Sequence, residues 1–174
     1  MSATDQRLDP VRVYNFLVTL VDSSSQMASV TLSIVLAPQA GFSECSGLEL
    51  TMQPEEYREG GRNDAVLKFA SRITWSTIRL KRGAALTDDL WNWHYGFVQG
   101  RGKRRDGIIV LQDDRHQPVK SWRFSRGLPI KWTGPAMNAG QNQVAIEEVE
   151  IAHEGLQLAP TGAAAIGQAI RNLL

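Results

Sequence analysis

The chain has 174 residues, 43% of them hydrophobic and 21% charged, with 19 Lys and Arg against 18 Asp and Glu and a net charge of +1. That length sets one domain with a short tail and enough buried surface to need no covalent staple, and the near-neutral balance excludes a general attraction to nucleic acid or anionic membrane. Cys45 is the single cysteine and His94, His116 and His153 the only histidines, which excludes an intrachain disulfide and a spaced cysteine–histidine zinc set.

Residues 1–10 are polar and read as a flexible lead. They carry neither the basic start nor the apolar stretch of a secretory signal, and no apolar run is long enough for a membrane-spanning segment, so synthesis in the cytoplasm is expected. From Val13 to Val21, Tyr14, Phe16, Val18 and Leu20 alternate with Asn15, Leu17 and Thr19, the pattern of a half-buried strand. Asp22 to Gln26 breaks it, and Val30 to Leu36 is again β-rich. Leu48 to Tyr57 reads as extended, Glu59 to Asp64 as a turn and Ala65 to Phe69 as a short extended piece. Ser76, Ile78 and Leu80 then oppose Trp75, Thr77, Arg79 and Lys81.

After Gly83 the period changes. Leu86, Leu90, Trp93 and Phe97 make a helical stripe, with Thr87-Asp88-Asp89 supplying an N-cap and first-turn acids. Gly100 stops the helix and Arg101 to Arg105 forms an exposed loop. Strand signals return at Gly107 to Gln112 and Val119 to Phe124, with a separate short strand at Pro129 to Trp132. Val144 and Ile146 lie out of phase with Val149 and Ile151, which predicts either a bulge around Glu147 and Glu148 or a strand with protein on both faces. Ile166, Ile170 and Leu173 mark a short C-terminal helix, weakened by Gly167. The whole reads as mainly β, a barrel or sandwich with one flanking α-helix.

Catalytic signals are nearly absent, and neither a catalytic residue, a cofactor nor a metal is expected. Asp88 and Asp89 read as capping acids. Glu147, Glu148 and Glu150 beside His153 read as a charged strand face, since alternation separates their directions. Ser43, Ser46 and Cys45 lack the surroundings of an activated nucleophile. Gly60-Gly61 matches no phosphate-binding pattern. Five tryptophans fit core or subunit packing better than base stacking. Arg101, Lys103, Arg104 and Arg105 form a basic loop, read as solvated or as a contact for phosphates or an acidic neighbour. Tyr14 to Val21 and Ile108 to Leu111 are apolar on both faces, so the helix, a neighbouring subunit or both must cover the second face. The Ser23 to Ala40 segment is an ordinary hairpin or an arm that joins the next subunit's sheet.

Taken in order, Tyr14-Asn-Phe-Leu-Val18, Gly41-Phe-Ser-Glu-Cys-Ser-Gly-Leu-Glu49, Tyr57-Arg-Glu-Gly-Gly61, Ile78-Arg-Leu-Lys-Arg-Gly83 and Leu90-Trp-Asn-Trp93 form the first part of an ordered series. Arg105-Asp-Gly107, Trp122-Arg-Phe124, Pro129-Ile-Lys-Trp-Thr-Gly-Pro135, Val144-Ala-Ile-Glu147 and Ile151-Ala-His-Glu-Gly-Leu156 complete it. The series resembles the tail-tube proteins of contractile phages and related injection systems, over about residues 12 to 158.

The resemblance implies a tail-tube β-barrel domain at 11–158 with a C-terminal extension at 159–174. It implies a structural subunit without turnover chemistry, assembled as a homo-hexamer that stacks into a hollow inner tube. A sheath surrounds such tubes, a baseplate and spike close their end, and the lumen carries DNA or effector protein. The expected location is the cytoplasm at synthesis, then a virion or a phage-like particle released from the cell. Ring stacking is expected at Ser24, Val30, Leu32 and Ile34 of the arm and at Glu56, Arg58 and Glu59 of the 55–63 loop. Subunit packing is expected at Trp91 and Trp93 of the 86–98 helix, and sheath or ring contact at Arg101, Lys103, Arg104 and Arg105. The long first hairpin and the segment after Pro160 also fit a tube-initiator or adaptor ring. Outside the family, the alternative is a monomeric anion-binding β-barrel.

Overall fold

The computed structural model describes residues 12–23, 41–61, 65–84 and 87–159. The predicted lead, the arm residues Ser24, Val30, Leu32 and Ile34, turn residues 62–64, Leu86 and the predicted C-terminal helix lie outside them. The described elements are β1 (Phe16–Asp22), β2 (Phe42–Ser46), β3 (Leu50–Met52), β4 (Glu55–Tyr57), β5 (Leu67–Phe69), β6 (Ile73–Trp75), β7 (Ile78–Gly83), α1 (Asp89–Val98), β8 (Arg105–Gln112), β9 (Pro118–Thr133), β10 (Ile146–Ala152) and β11 (Gly155–Ala159). The fold is mainly β with one flanking helix.

Seven strands form one antiparallel sheet in the order β1-β8-β9-β10-β7-β2, with β11 on β9. β9 is 16 residues long and belongs to two half-sheets. Its first part pairs with β8 and β11, and its second part, from Leu128 to Thr133, pairs with β10. The sequence pattern separates these parts, but the strand runs through Ser125-Arg126-Gly127 without a break. Arg126 bends it with a left-handed φ of 53°, and its N–H donates to Asp106 Oδ1 at 2.8 Å, which holds the bend. The β10–β11 segment turns at the same level, where the Glu154 N–H donates to the Ser125 carbonyl at 3.0 Å.

The core lies between the half-sheets. Val18, Ile109, Phe124 and Leu156 enter from one side and Ile78, Leu80, Val149 and Ile151 from the other, while α1 contributes Leu90 and Trp93. Alternation in β7 places Ile78, Leu80 and Arg82 inward, as the sequence period requires for the two aliphatics. In β10 it places Glu147, Val149 and Ile151 inward and leaves Ile146 exposed. Of the two alternatives for this strand, the bulge at Glu147 and Glu148 is absent there. Pairing with β7 runs unbroken from Ile146 to Ile151, and the irregularity falls against β9 between Glu150 and Ile151. The phase of the strand is regular because a carboxylate occupies a core position.

Candidate assembly surface

Between β2 and β7 the chain projects as a β-ribbon, β3 pairing with β6 and β4 with β5. Gly47 at the ribbon's root has φ 87°, and a Cβ there would lie 1.9 Å from the Thr77 carbonyl oxygen. Only glycine allows this approach of the two strands. Along the ribbon, Leu50 faces Trp75, Met52 faces Ile73, and Tyr57 faces Leu67 across the strand pairs, while Thr51 faces Thr74 and Glu56 faces Lys68. The β3–β6 pair thus has one apolar and one polar face, whereas in β4–β5 the face of Tyr57, Leu67 and Phe69 also carries Glu55, opposite Phe69. Leu50, Met52, Tyr57, Phe69 and Ile73 are all about half exposed, from 48% to 59%. Covering the exposed half of one such side chain on assembly stabilises by roughly 1 kcal/mol. The sequence expectation of contacts at Glu56, Arg58 and Glu59 falls on the exposed outer part of this ribbon. The apolar residues at 50, 52, 69 and 73 were detectable only as short alternations in a stretch too brief for a period.

The ribbon root is fixed by β10 and β11. His153 Nε2 lies 3.1 Å from the Ser76 carbonyl oxygen, with its ring between Trp75 and Phe124 at centroid distances of 6.0 and 5.9 Å. Its role here is to tie the ribbon to the bend of β9. Beside the root, a cleft of about 350 Å³ separates β2 from the first half-sheet, with Cys45 and Leu48 on one wall and Phe16, Ile109, Leu111 and Trp122 on the other. Burial pushes the Cys45 thiol up to about 11, which leaves it a poor nucleophile at neutral pH.

On α1 the two predicted contact tryptophans separate. Trp93 is buried in the chain's own core, with Nε1 donating to the Lys103 carbonyl at 2.8 Å. Trp91 is 40% exposed, stacks on Tyr95 at 5.3 Å and meets Trp132 edge-on at 4.8 Å. The capping acids also separate. Asp88 occupies the N-cap position without a side-chain cap bond, whereas Asp89, half exposed, accepts from the buried Arg82 guanidinium. Arg82 donates as well to Glu147 Oε1 at 2.5 Å and to the Thr87 carbonyl at 3.3 Å, and Trp132 Nε1 donates to Glu147 Oε2 at 3.1 Å. Burial pushes the Asp89 carboxyl up, but the Arg82 guanidinium overcomes that and holds it below the usual carboxylate range. Glu147 is therefore part of a buried ion network rather than of a charged strand face. The solvent face carries Glu150 with Lys131 at 3.1 Å, and Glu44 with Lys81 at 2.9 Å.

The basic loop divides too. Arg104 pairs with Glu154 at 2.8 Å and donates to the Arg126 carbonyl at 3.0 Å. Arg105 pairs with Asp22 at 3.2 Å and lies 4.9 Å from the Trp93 ring centroid. Arg101 and Lys103 are exposed and pair with no carboxylate among the described residues. No group of three or more His, Cys, Asp or Glu side chains among the described residues is arranged to hold a metal ion. No described helix is long and apolar enough to cross a membrane.

The family model described as T4-like virus tail tube protein gp19 matches residues 12–157. The fold is also that of several solved structures. A chain of the anti-feeding prophage baseplate is 24% identical, with a TM-score of 0.72 and coverage of 86% of this chain and 95% of that one. A chain of the sheath–tube complex of the extracellular contractile injection system PVC, in its extended state, is 21% identical, with a TM-score of 0.73 and coverage of 93% and 100%. A type six secretion system protein matches at 11% identity, with a TM-score of 0.55 and coverage of 83% and 82%. No curated protein matches the sequence.

Proposed function

The chain belongs to the T4-like virus tail tube protein family, a family of structural tube subunits, and from that premise we propose that it builds the inner tube of a contractile phage tail or a phage-like injection particle. The observation that carries the reading is the family match over residues 12–157. Subunits close into hexameric rings, complete a barrel wall at the open edges β1 and β2, and stack through the projecting ribbon and the Ser23 to Ala40 arm. The 11–158 tube domain forms the wall, preceded by the lead and followed by the 159–174 extension. A sheath surrounds the tube, a baseplate and spike close it, and the lumen conducts DNA or effector protein, without catalysis by the wall. The particle is assembled in the cytoplasm and acts as a virion or after release from the cell. The apolar ribbon faces support the stacking role, because a chain that leaves five large apolar side chains half in water on one projection has a partner for them.

Negative-stain electron microscopy of the full-length chain over a concentration series, with native mass spectrometry, tests the reading. Six-fold rings stacking into tubes support it. Single rings that never stack move the assignment to an initiator or adaptor ring. A monomer at every concentration, alone and with sheath protein, overturns it.

A further inference from the structure

The loop after α1 is built to hold two cations in place. Gly102 lies against the Phe97 ring so closely that a Cβ would come within 2.2 Å of it. The next carbonyl, of Lys103, accepts the Trp93 indole N–H at 2.8 Å, and the Arg101 N–H donates to the Gly96 carbonyl at 2.8 Å. The backbone on both sides of Gly102 is thus fixed to the buried face of the helix, while the side chains of Arg101 and Lys103 remain exposed. They stand at the mouth of a cleft of about 230 Å³ whose other walls include Asp22, Asp89, Asn92 and Arg105. The carboxylates of that cleft are already engaged, Asp22 by Arg105 and Asp89 by Arg82. Arg101 and Lys103 are therefore left without a carboxylate partner among the described residues at one concave place, whose lining keeps a surplus of positive charge.

The same chain carries the complement. The outer part of the ribbon displays Glu55, Glu56 and Glu59 against Arg58 and Lys68, a balance of three negative to two positive charges among its described residues. Lys68 reaches Glu56 at 3.9 Å, and neither Glu55 nor Glu59 has an ion-pair partner among the described residues. Several described acids of the sheet faces pair internally, Glu44 with Lys81, Glu147 with Arg82, Glu150 with Lys131 and Glu154 with Arg104 and Arg126. Glu148 of β10 makes no ion pair among the described residues but lies in the sheet rather than on a projection. An exposed pair of carboxylates on a projection and an exposed pair of cations in a cleft, each without an ion-pair partner among the described residues, fit each other between copies.

We propose that Arg101 and Lys103 receive Glu55 and Glu59 of a second copy of this chain, as an electrostatic latch between successive rings. The proposal rests on the tube reading above. It places the contact on the first two members of the basic loop and removes it from Arg104 and Arg105, whose charges are used inside the subunit. Exposed ion pairs are individually weak and screened by salt, but one latch per subunit is repeated around the ring and along the tube. The latch sets register and salt dependence more than subunit stability.

The test is a charge swap in the full-length chain. R101E/K103E and E55K/E59K are each expected to keep the wild-type thermal melt and to raise the concentration at which tubes form by about tenfold, as like charges meet across the contact. The four-residue swap is expected to restore tube formation to within about threefold of wild type. The neutral variant R101Q/K103Q is expected to fold and to lose most of the salt dependence of stacking. The latch is overturned if R101E/K103E or R101Q/K103Q forms tubes as wild type does at every salt concentration, or if both reversed variants fold and the swap restores nothing. A wild-type chain that never forms rings or tubes overturns instead the reading on which the latch rests.

Discussion

Arg82 and Glu147 face each other across the β7–β10 pair inside the core, their side chains only 2% and 8% exposed. The guanidinium also reaches Asp89 at the start of α1, so one buried cation joins a central strand, its neighbour and the helix. Removing one member strands the rest in a low-dielectric site. Glu147→Ala is expected to cost about 3–5 kcal/mol of folding stability by urea denaturation, whereas the double replacement Arg82→Met with Glu147→Met is expected to cost clearly less than Glu147→Ala alone. A double variant that is no better than the single would show that the charges, and not their mutual compensation, hold α1 in place.

That network also explains which parts of the structure the sequence could express. The strand–helix–strand order, the inward faces of Ile78, Leu80, Leu90 and Trp93 and the helix boundary at Gly100 follow from period alone. The inward face of β10 does not, because Glu147 sits where period analysis expects an apolar residue. A rule that counts Glu147, Val149 and Ile151 as one face would have found the partner for Arg82, whose own strand makes the same substitution of a charge for a core aliphatic. The continuity of β9 was equally hidden. Arg126 and Gly127 look like a turn between strands, and only the distant Asp106 carboxylate turns them into a bend within one.

Gly47 at the ribbon root supplies a second prediction. With φ at 87° and the Thr77 oxygen 1.9 Å from where an alanine methyl would sit, Gly47→Ala is expected to destabilise by about 2–4 kcal/mol. Gly60→Ala, where a Cβ meets nothing within 4 Å, is expected to stay within about 0.5 kcal/mol of wild type. Chemical denaturation midpoints of the two variants separate the cases, and equal midpoints would refute the close approach.

Asp106 gives a pH dependence. Burial pushes its carboxyl up, but the Ser23 hydroxyl, the Arg126 N–H and the Arg123 guanidinium together bring it below the ordinary value of 3.8. A group depressed on folding contributes stability that is complete above 3.8 and is lost as pH falls through the lower folded value. Asp106→Asn should therefore be less stable than wild type near neutral pH, and the gap between their melting temperatures should narrow as the solution is taken below about pH 4. A gap independent of pH would mean that the side chain acts through shape alone.

The ribbon can be tested apart from the fold. Met52 and Ile73 are cross-strand partners on its exposed apolar face, so Met52→Thr with Ile73→Thr is expected to change subunit stability by no more than about 1 kcal/mol. The same pair should raise the concentration needed for tube formation at least about tenfold, since two half-exposed side chains lose their burial against a neighbour. Sedimentation velocity over a dilution series reads both the ring and the tube, and an unchanged profile would remove the ribbon from the contact.

β9 has a consequence for how a subunit comes into being. Its first part completes one half-sheet and its second part the other, and the bend between them donates a hydrogen bond to Asp106 of β8 and accepts one from the β10–β11 turn. No cut in the chain yields two pieces that each own a finished sheet. Folding is therefore expected to be cooperative across the whole wall element, so that only a complete subunit offers its unpaired edges to a growing assembly.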